Sequence, residues 1–147
     1  DGIRYGNDRS YFGDEAKRRI MLGTHTLSSG YYDQYYNRAL KVRSIIIDEF
    51  KKAFQRVDAI IAPISPTPPW KLGEKTDDPL KMYLSDIFTV TANLTGLPAL
   101  SIPIGFTKKG LPVGMQIIGN YFSEDILFRI GHAYEQATNW NTKKPNL

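Results

Sequence analysis

Apolar positions along the chain recur with two periods, one near three and a half residues and one of two, and the switches between them mark the elements. From Asp14 onward Ile20, Thr24 and Leu27 recur at helical spacing, while Asp14 and Glu15 put negative charge at the positive end of the helix dipole. A helix is therefore predicted from Asp14 to the Ser28-Ser29-Gly30 stop. A longer helix is predicted over residues 31–57: Tyr36, Ala39, Leu40, Ile46, Ile47, Phe50, Ala53, Phe54 and Val57 form one stripe, and Arg38, Lys41, Asp48, Lys51, Lys52 and Gln55 fall opposite. Ahead of both, residues 1–6 read as a short strand and residues 7–13 as a turn.

The continuous apolar run Ala59-Ile60-Ile61-Ala62 is the pattern of a strand buried on both faces, and Pro63, Pro66, Pro68 and Pro69 force an extended, irregular path directly after it. Residues 71–79 are polar and turn-rich. Tyr83, Ile87, Val90 and Leu94 then mark one amphipathic helix closing at Gly96. Two alternating runs follow, Leu100-Ile102-Ile104-Phe106 and Val113-Met115-Ile117, joined by Thr107-Lys108-Lys109-Gly110, which predicts a hairpin with Gly110 at positive φ. Pro98 and Pro103 place the first of these strands at an edge or a bulge. Ser123 is the expected N-cap of a last helix carrying Ile126, Leu127, Ile130, Ala133, Tyr134 and Ala137, and residues 139–147 are expected to fray. Helices interspersed with short strands indicate an α/β class.

Composition narrows the function classes. With 147 residues, 41% hydrophobic and 12% aromatic, the chain is the length of one domain with one sizeable core. It begins at Asp1 with neither an initiator Met nor a signal-like apolar run, so it is expected to start inside a longer polypeptide. The absence of Cys excludes a disulfide framework, a thiolate nucleophile and Cys-ligated metal sites, and suits a reducing, cytoplasmic setting. No stretch approaches the roughly 20 apolar residues of a membrane span. The net charge of +4 is spread over short clusters such as Lys17-Arg18-Arg19, Lys108-Lys109 and Lys143-Lys144 that alternate with acids, unlike the concentrated face of a dedicated nucleic-acid module.

Chemistry is sparse. There is no G-x-S-x-G elbow, no phosphate-binding glycine loop and no dinucleotide fingerprint, so no catalytic residue is assigned. His132 and Glu135 lie three apart on a helix, a spacing that arises readily by chance; a solvated helix face is the preferred reading and no metal site is assigned. His25, between Thr24 and Thr26, reads as a hydrogen-bonded structural residue. Two charges stand out. Within Lys17-Arg18-Arg19 at least one side chain must face inward or sideways, and Asp86 falls at the edge of an apolar stripe, where a carboxylate is costly unless paired. An arginine and a carboxylate are what a free amino acid requires, one for its α-carboxylate and one for its α-ammonium group. The residues alone equally allow Arg19 to pair with Glu15 and Asp86 to hydrogen-bond its own helix.

The stretch GLPALSIPIGF from Gly96, followed by GLPVGMQIIG from Gly110, resembles the C-terminal hairpin of the amidase signature superfamily. Two further stretches, FGDEAKRRIMLGT from Phe12 continuing through SSGYYD from Ser28, and LGEKTDDPL from Leu72 with Met82-Tyr83, resemble the amidase-type A-subunits of the aspartyl/glutamyl-tRNA(Asn/Gln) amidotransferases. The resemblance implies the C-terminal portion of the amidase signature fold, a mixed β-sheet flanked by helices, spanning residues 1–147. It implies that the whole A-subunit hydrolyses glutamine, using a lysine and two serines upstream of this region. Two amidotransferase partners, the B- and C-subunits, are implied as well: ammonia would pass to the first, which uses ATP and Mg to amidate a mischarged tRNA, and the second, a small protein, would brace the pair. This chain would bind no cofactor; its Arg19 matches the arginine that holds the glutamine carboxylate, and its Asp86 the aspartate that holds the amino group. The family has a longer connection where residues 7–11 join DGIRYG to FGDEAKRR. A non-catalytic binding or scaffold fragment, part of a general amidase of the same superfamily, and a small basic RNA-binding protein are the competing readings. Without its upstream half the chain is expected to be inactive and to expose apolar surface.

Overall fold

In this computed structural model, residues 12–28, 31–74 and 78–145 are described; the strand expected over 1–6 and all but residues 12 and 13 of the turn expected over 7–13 lie outside the described residues. The chain divides into two compact units, Asp1–Ile45 and Ile46–Leu147.

The first unit is built from local interactions. Helix α1, Asp14–Thr26, carries Asp14 and Glu15 in its first turn as the charge pattern predicts. Its basic run is tied back to those acids: Lys17 reaches Asp14, and Arg18 and Arg19 both reach Glu15. All three basic side chains are about half exposed, lying sideways along the helix surface and not inward, where ion pairs one turn apart engage them. No residue of α1 is buried, and Ile20 and Met21 remain 55% and 72% exposed. His25 packs its ring against Tyr31, with centroids 4.4 Å apart.

The long helix opens differently from its expected course. Tyr32–Tyr36 forms a π-helical turn, followed by α2, Asn37–Ala53. Tyrosines one turn apart stack as two pairs, Tyr31 on Tyr35 and Tyr32 on Tyr36, and Asn37 donates to Asp33. The helix ends at Ala53, short of Val57, because its last bonds tighten to three-residue spacing from Gln55 to Lys52 and from Arg56 to Ala53. Ile46, Ile47, Phe50, Ala53 and Phe54 of the predicted stripe are half-buried, whereas Ala39 and Leu40 are exposed.

The second unit is organised by a three-stranded sheet of order β1-β3-β2, with β1 at Ala59–Pro63, β2 at Ala99–Phe106 and β3 at Pro112–Gly119. The α/β class is as expected; a mixed sheet is implied by the resemblance, and among the described residues there are three strands whose two pairings are both antiparallel. The predicted hairpin is β2–β3, turning at Gly110 with φ 78°. As the prolines predict, β2 is at the edge of this sheet and its register shifts between Pro103 and Gly105. The double burial expected of 59–62 is not found in β1. That strand is also at the edge, with Ile61 62% exposed; the strand buried on both faces is the central β3, from Met115 to Gly119.

One face of the sheet carries the core. Ile102, Met115 and Ile117 pack with Leu127 of helix α5, Glu124–Thr138, and Leu100, Ile104, Ile130 and Tyr134 surround them. Ser123 holds the N-cap position, but its hydroxyl donates to the carbonyl of Asn120 instead of capping an amide. The expected fraying after Asn139 is also corrected: a 3₁₀ turn, Trp140–Thr142, brings Trp140 edge-on to Phe106, and Lys143 lies 4.0 Å from the Trp140 ring centre.

The single helix expected through Tyr83 and Leu94 is two short ones, α3 at Pro79–Leu84 and α4 at Val90–Thr95, separated by a turn over 85–89. Within it the amides of Ser85, Asp86 and Ile87 bond three residues back, and the Ser85 hydroxyl takes the Met82 carbonyl, a competition that side-chain hydroxyls bring to helix interiors. Helix α4 ends at Gly96, φ 74°, as predicted.

Two outcomes follow from this packing. Ile117 is fully buried, so Ile117→Ala should lower stability by about 2–5 kcal/mol, read by denaturant unfolding of the complete protein. The Asp78 carboxylate caps α3 by accepting from the amides of Leu80 and Lys81, and the Lys81 amide in particular holds its pKa below the usual carboxylate range. A carboxyl depressed on folding stabilises the folded state above its unfolded pKa and loses that contribution as pH falls through the folded one. Hydrogen exchange at Leu80 and Lys81 should therefore quicken, relative to neighbouring helices, as the pH is lowered through the acidic range, and Asp78→Asn, which still caps, should remove that dependence.

Candidate functional site

Asp86 does not lie on a continuous helix edge, as its spacing from Tyr83 and Val90 predicts, but in the turn between α3 and α4, where it is exposed. The turn is closed through the main chain of Asp86: its carbonyl accepts from the amides of Thr89 and Val90, both at 3.0 Å, and from the Thr89 hydroxyl at 3.1 Å. Among the described residues no hydrogen bond or ion pair engages the Asp86 carboxylate, which is therefore neither self-satisfied by its helix nor neutralised. A solvated carboxylate on a backbone-closed turn is available to receive a cation.

Arg19 stands in the first unit, on the middle of α1, with its side chain 56% exposed. Its Nε donates to Glu15 Oε1 at 2.8 Å, so the pairing with Glu15 that the residues alone allowed does form. Arg18 donates to the other oxygen of the same carboxylate at 2.7 Å. Exposed pairs at this spacing contribute only about 0.3–0.5 kcal/mol each.

The second unit contains a polar residue that the alternation pattern hides. Gln116, 3% exposed in the middle of β3, donates from Nε2 to the Pro63 carbonyl at 2.9 Å and to the Phe88 carbonyl at 2.8 Å. Met115 and Ile117 face α5, so Gln116 lies on the other face of the sheet, where it binds together the exit of β1 and the turn that carries Asp86. The signal was the doublet Ile117-Ile118: apolar residues on both parities mean a strand covered on both faces, and a glutamine within it must be hydrogen-bonded.

Beside Pro63 the chain runs irregularly from Ile64 to Trp70, as the prolines predict, and a cleft of about 410 Å³ opens between this segment and the start of β3. Its lining is mainly apolar, from Ile64, Pro66, Pro68, Trp70 and Val113. Gly114 permits the close approach: a Cβ there would come within 3.2 Å of Ile64 Cγ2. Neither Arg19 nor Asp86 lines this cleft.

His132 is exposed and Glu135 half-buried on α5, and among the described residues no group of three or more histidine and acidic side chains is placed to hold a metal ion. Among the same residues no helix is long and apolar enough to cross a membrane.

Comparison with known proteins places this arrangement. The amidase family model matches residues 6–128. The glutamyl-tRNA(Gln) amidotransferase A-subunit 1 of Clostridium acetobutylicum is 54% identical over 162 residues, covering 100% of this chain and 33% of its own length. The glutamyl-tRNA(Gln) amidotransferase A-subunit of Picosynechococcus sp. is 60% identical over 136 residues, covering 92% of this chain and 28% of its own length. Among solved structures, the glutamyl-tRNA(Gln) amidotransferase A-subunit of Thermotoga maritima superposes with a TM-score of 0.70 at 50% identity, covering 89% of this chain and 28% of that one. A bacterial aryl acylamidase of the amidase signature family gives 0.66 at 25% identity, covering 95% and 29%. The chain thus spans about a third of the length of the relatives it matches. With a match that runs through the helices, the proline-rich segment and the hairpin alike, this chain belongs to the amidase family.

Proposed function

We propose that this chain is the C-terminal portion of the A-subunit of a glutamine-dependent tRNA amidotransferase, and that it grips the amino-acid end of glutamine while upstream residues hydrolyse the side-chain amide. The observation that carries the reading is the contrast in likeness: 50–60% identity to proteins named as glutamyl-tRNA(Gln) amidotransferase A-subunits, against 25% to an aryl acylamidase of similar fold. An aryl amide has no zwitterionic end to recognise, and a free amino acid does.

In this reading the Arg19 guanidinium leaves its exposed pairing with Glu15 and takes the α-carboxylate in a bidentate hold, while the Asp86 carboxylate receives the α-ammonium group. Glutamine and water yield glutamate and ammonia, with the nucleophile and its base supplied by the part of the protein outside this chain. The ammonia serves the B-subunit, which uses ATP and Mg to amidate Glu-tRNA(Gln) or Asp-tRNA(Asn), with the C-subunit as a further partner, in the cytoplasm. This chain contributes recognition and framework to the complex and binds neither ATP nor Mg.

Titration calorimetry of the complete A-subunit with glutamine tests the grip. Arg19→Ala and Asp86→Ala should each weaken binding by about 1.5–3 kcal/mol, the usual worth of a hydrogen bond to a charged group, and unchanged affinity in both would refute the assignment. The purified 147-residue chain should release no ammonia from glutamine, since the nucleophile lies outside it; sustained release by a contaminant-free sample would contradict the division of labour.

A further inference from the structure

We propose that Gln116 is a positioning residue for Asp86, and that through this turn it sets the preference for an amide bearing an α-ammonium group over the same amide without one. The inference rests on the assignment of Asp86 to glutamine recognition and adds to it the residue that holds Asp86 in place.

The turn over 85–89 is closed by its own hydrogen bonds but weakly packed. Its hydrogen bonds run from the amides of Ser85, Asp86, Ile87 and Thr89 to carbonyls three residues back, so the direction of the Asp86 side chain follows the turn as a whole. Apolar burial does little to fix it, with Ile87 51% and Phe88 38% exposed. Among the described residues the one hydrogen bond that ties this turn to the sheet is that of Gln116 to the Phe88 carbonyl, two residues from Asp86 and 28 from Gln116 along the chain.

Gln116 suits this task chemically. Both of its partners at this end are carbonyl oxygens, which only a donor satisfies, so the amide orientation is fixed and both Nε2 hydrogens are used. The central strand that carries it is paired on both sides, to Ala62 and to Ser101, so its backbone is fixed by two neighbours where, among the described residues, the turn has no strand partner. The second bond, to Pro63, keeps the amide from swinging with the turn.

The test uses the complete protein in its assembled enzyme and two substrates, glutamine and glutaramate, which has the same side-chain amide and carboxylate but hydrogen in place of the α-ammonium group. Gln116→Met removes both donors at similar volume. It should raise KM for glutamine on the order of tenfold while leaving KM for glutaramate within about twofold, because only glutamine needs Asp86 in register. An unchanged glutamine KM, or an equal rise for both substrates, would overturn the proposal, the latter marking a purely structural role. If Gln116→Met does not fold, Gln116→Asn, which keeps the amide but shortens its reach, is read by the same pair of KM values. Asp86→Asn separates grip from positioning. If it leaves the ratio of the two KM values unchanged, the glutamine grip and this proposal fall together; if it shifts the ratio and the Gln116 variants do not, only the positioning role falls.

Discussion

Double burial of the central strand is the constraint on which the second unit depends. From Met115 to Gly119 every residue of β3 is buried, so both faces of the sheet must be filled and any polar group between them must find partners. The face toward α5 is met with aliphatic packing around Ile117. The other face is met partly with hydrogen bonds, the Gln116 amide taking the carbonyl of Pro63 at the end of β1 and that of Phe88 in the turn between α3 and α4. This polar link ties the end of β1, where the irregular segment begins, to the turn of the interrupted helix pair.

What was legible in the sequence was what short-range chemistry decides. The hairpin followed from two alternating runs around Gly110, the edge position of β2 from Pro103, the end of α4 from Gly96, and α5 from its apolar stripe. What was not legible depends on partners distant in sequence. The run 59–62 has the composition of an interior strand, yet it pairs on one side only, with β3, and so stands at the edge of this sheet. The break over 85–89 arises where Ser85 competes for a helix carbonyl and where Gln116, 28 residues on, draws the Phe88 carbonyl outward. The ordering of Trp140 depends on Phe106 across the sheet, and no pattern within residues 139–147 announces it.

The candidate site was legible in its residue types and in the family they resemble, but its local settings differ from those the spacing suggested. Arg19 is held by an acid one turn away at the surface of α1, and Asp86 stands on a turn whose backbone satisfies itself. Both settings present a charged group at the surface. In the proposed reading Arg19 and Asp86 contribute one charge each to the recognition of glutamine, and the strand carrying Gln116 governs the Asp86 half without touching the ligand.

That shared recognition is tested most directly by a crystal structure of the complete A-subunit with glutamine bound. The predicted result is the α-carboxylate within hydrogen-bond distance of the Arg19 guanidinium and the α-ammonium group within the same distance of the Asp86 carboxylate. Glutamine bound in the site with its amino-acid end turned away from both residues would contradict it.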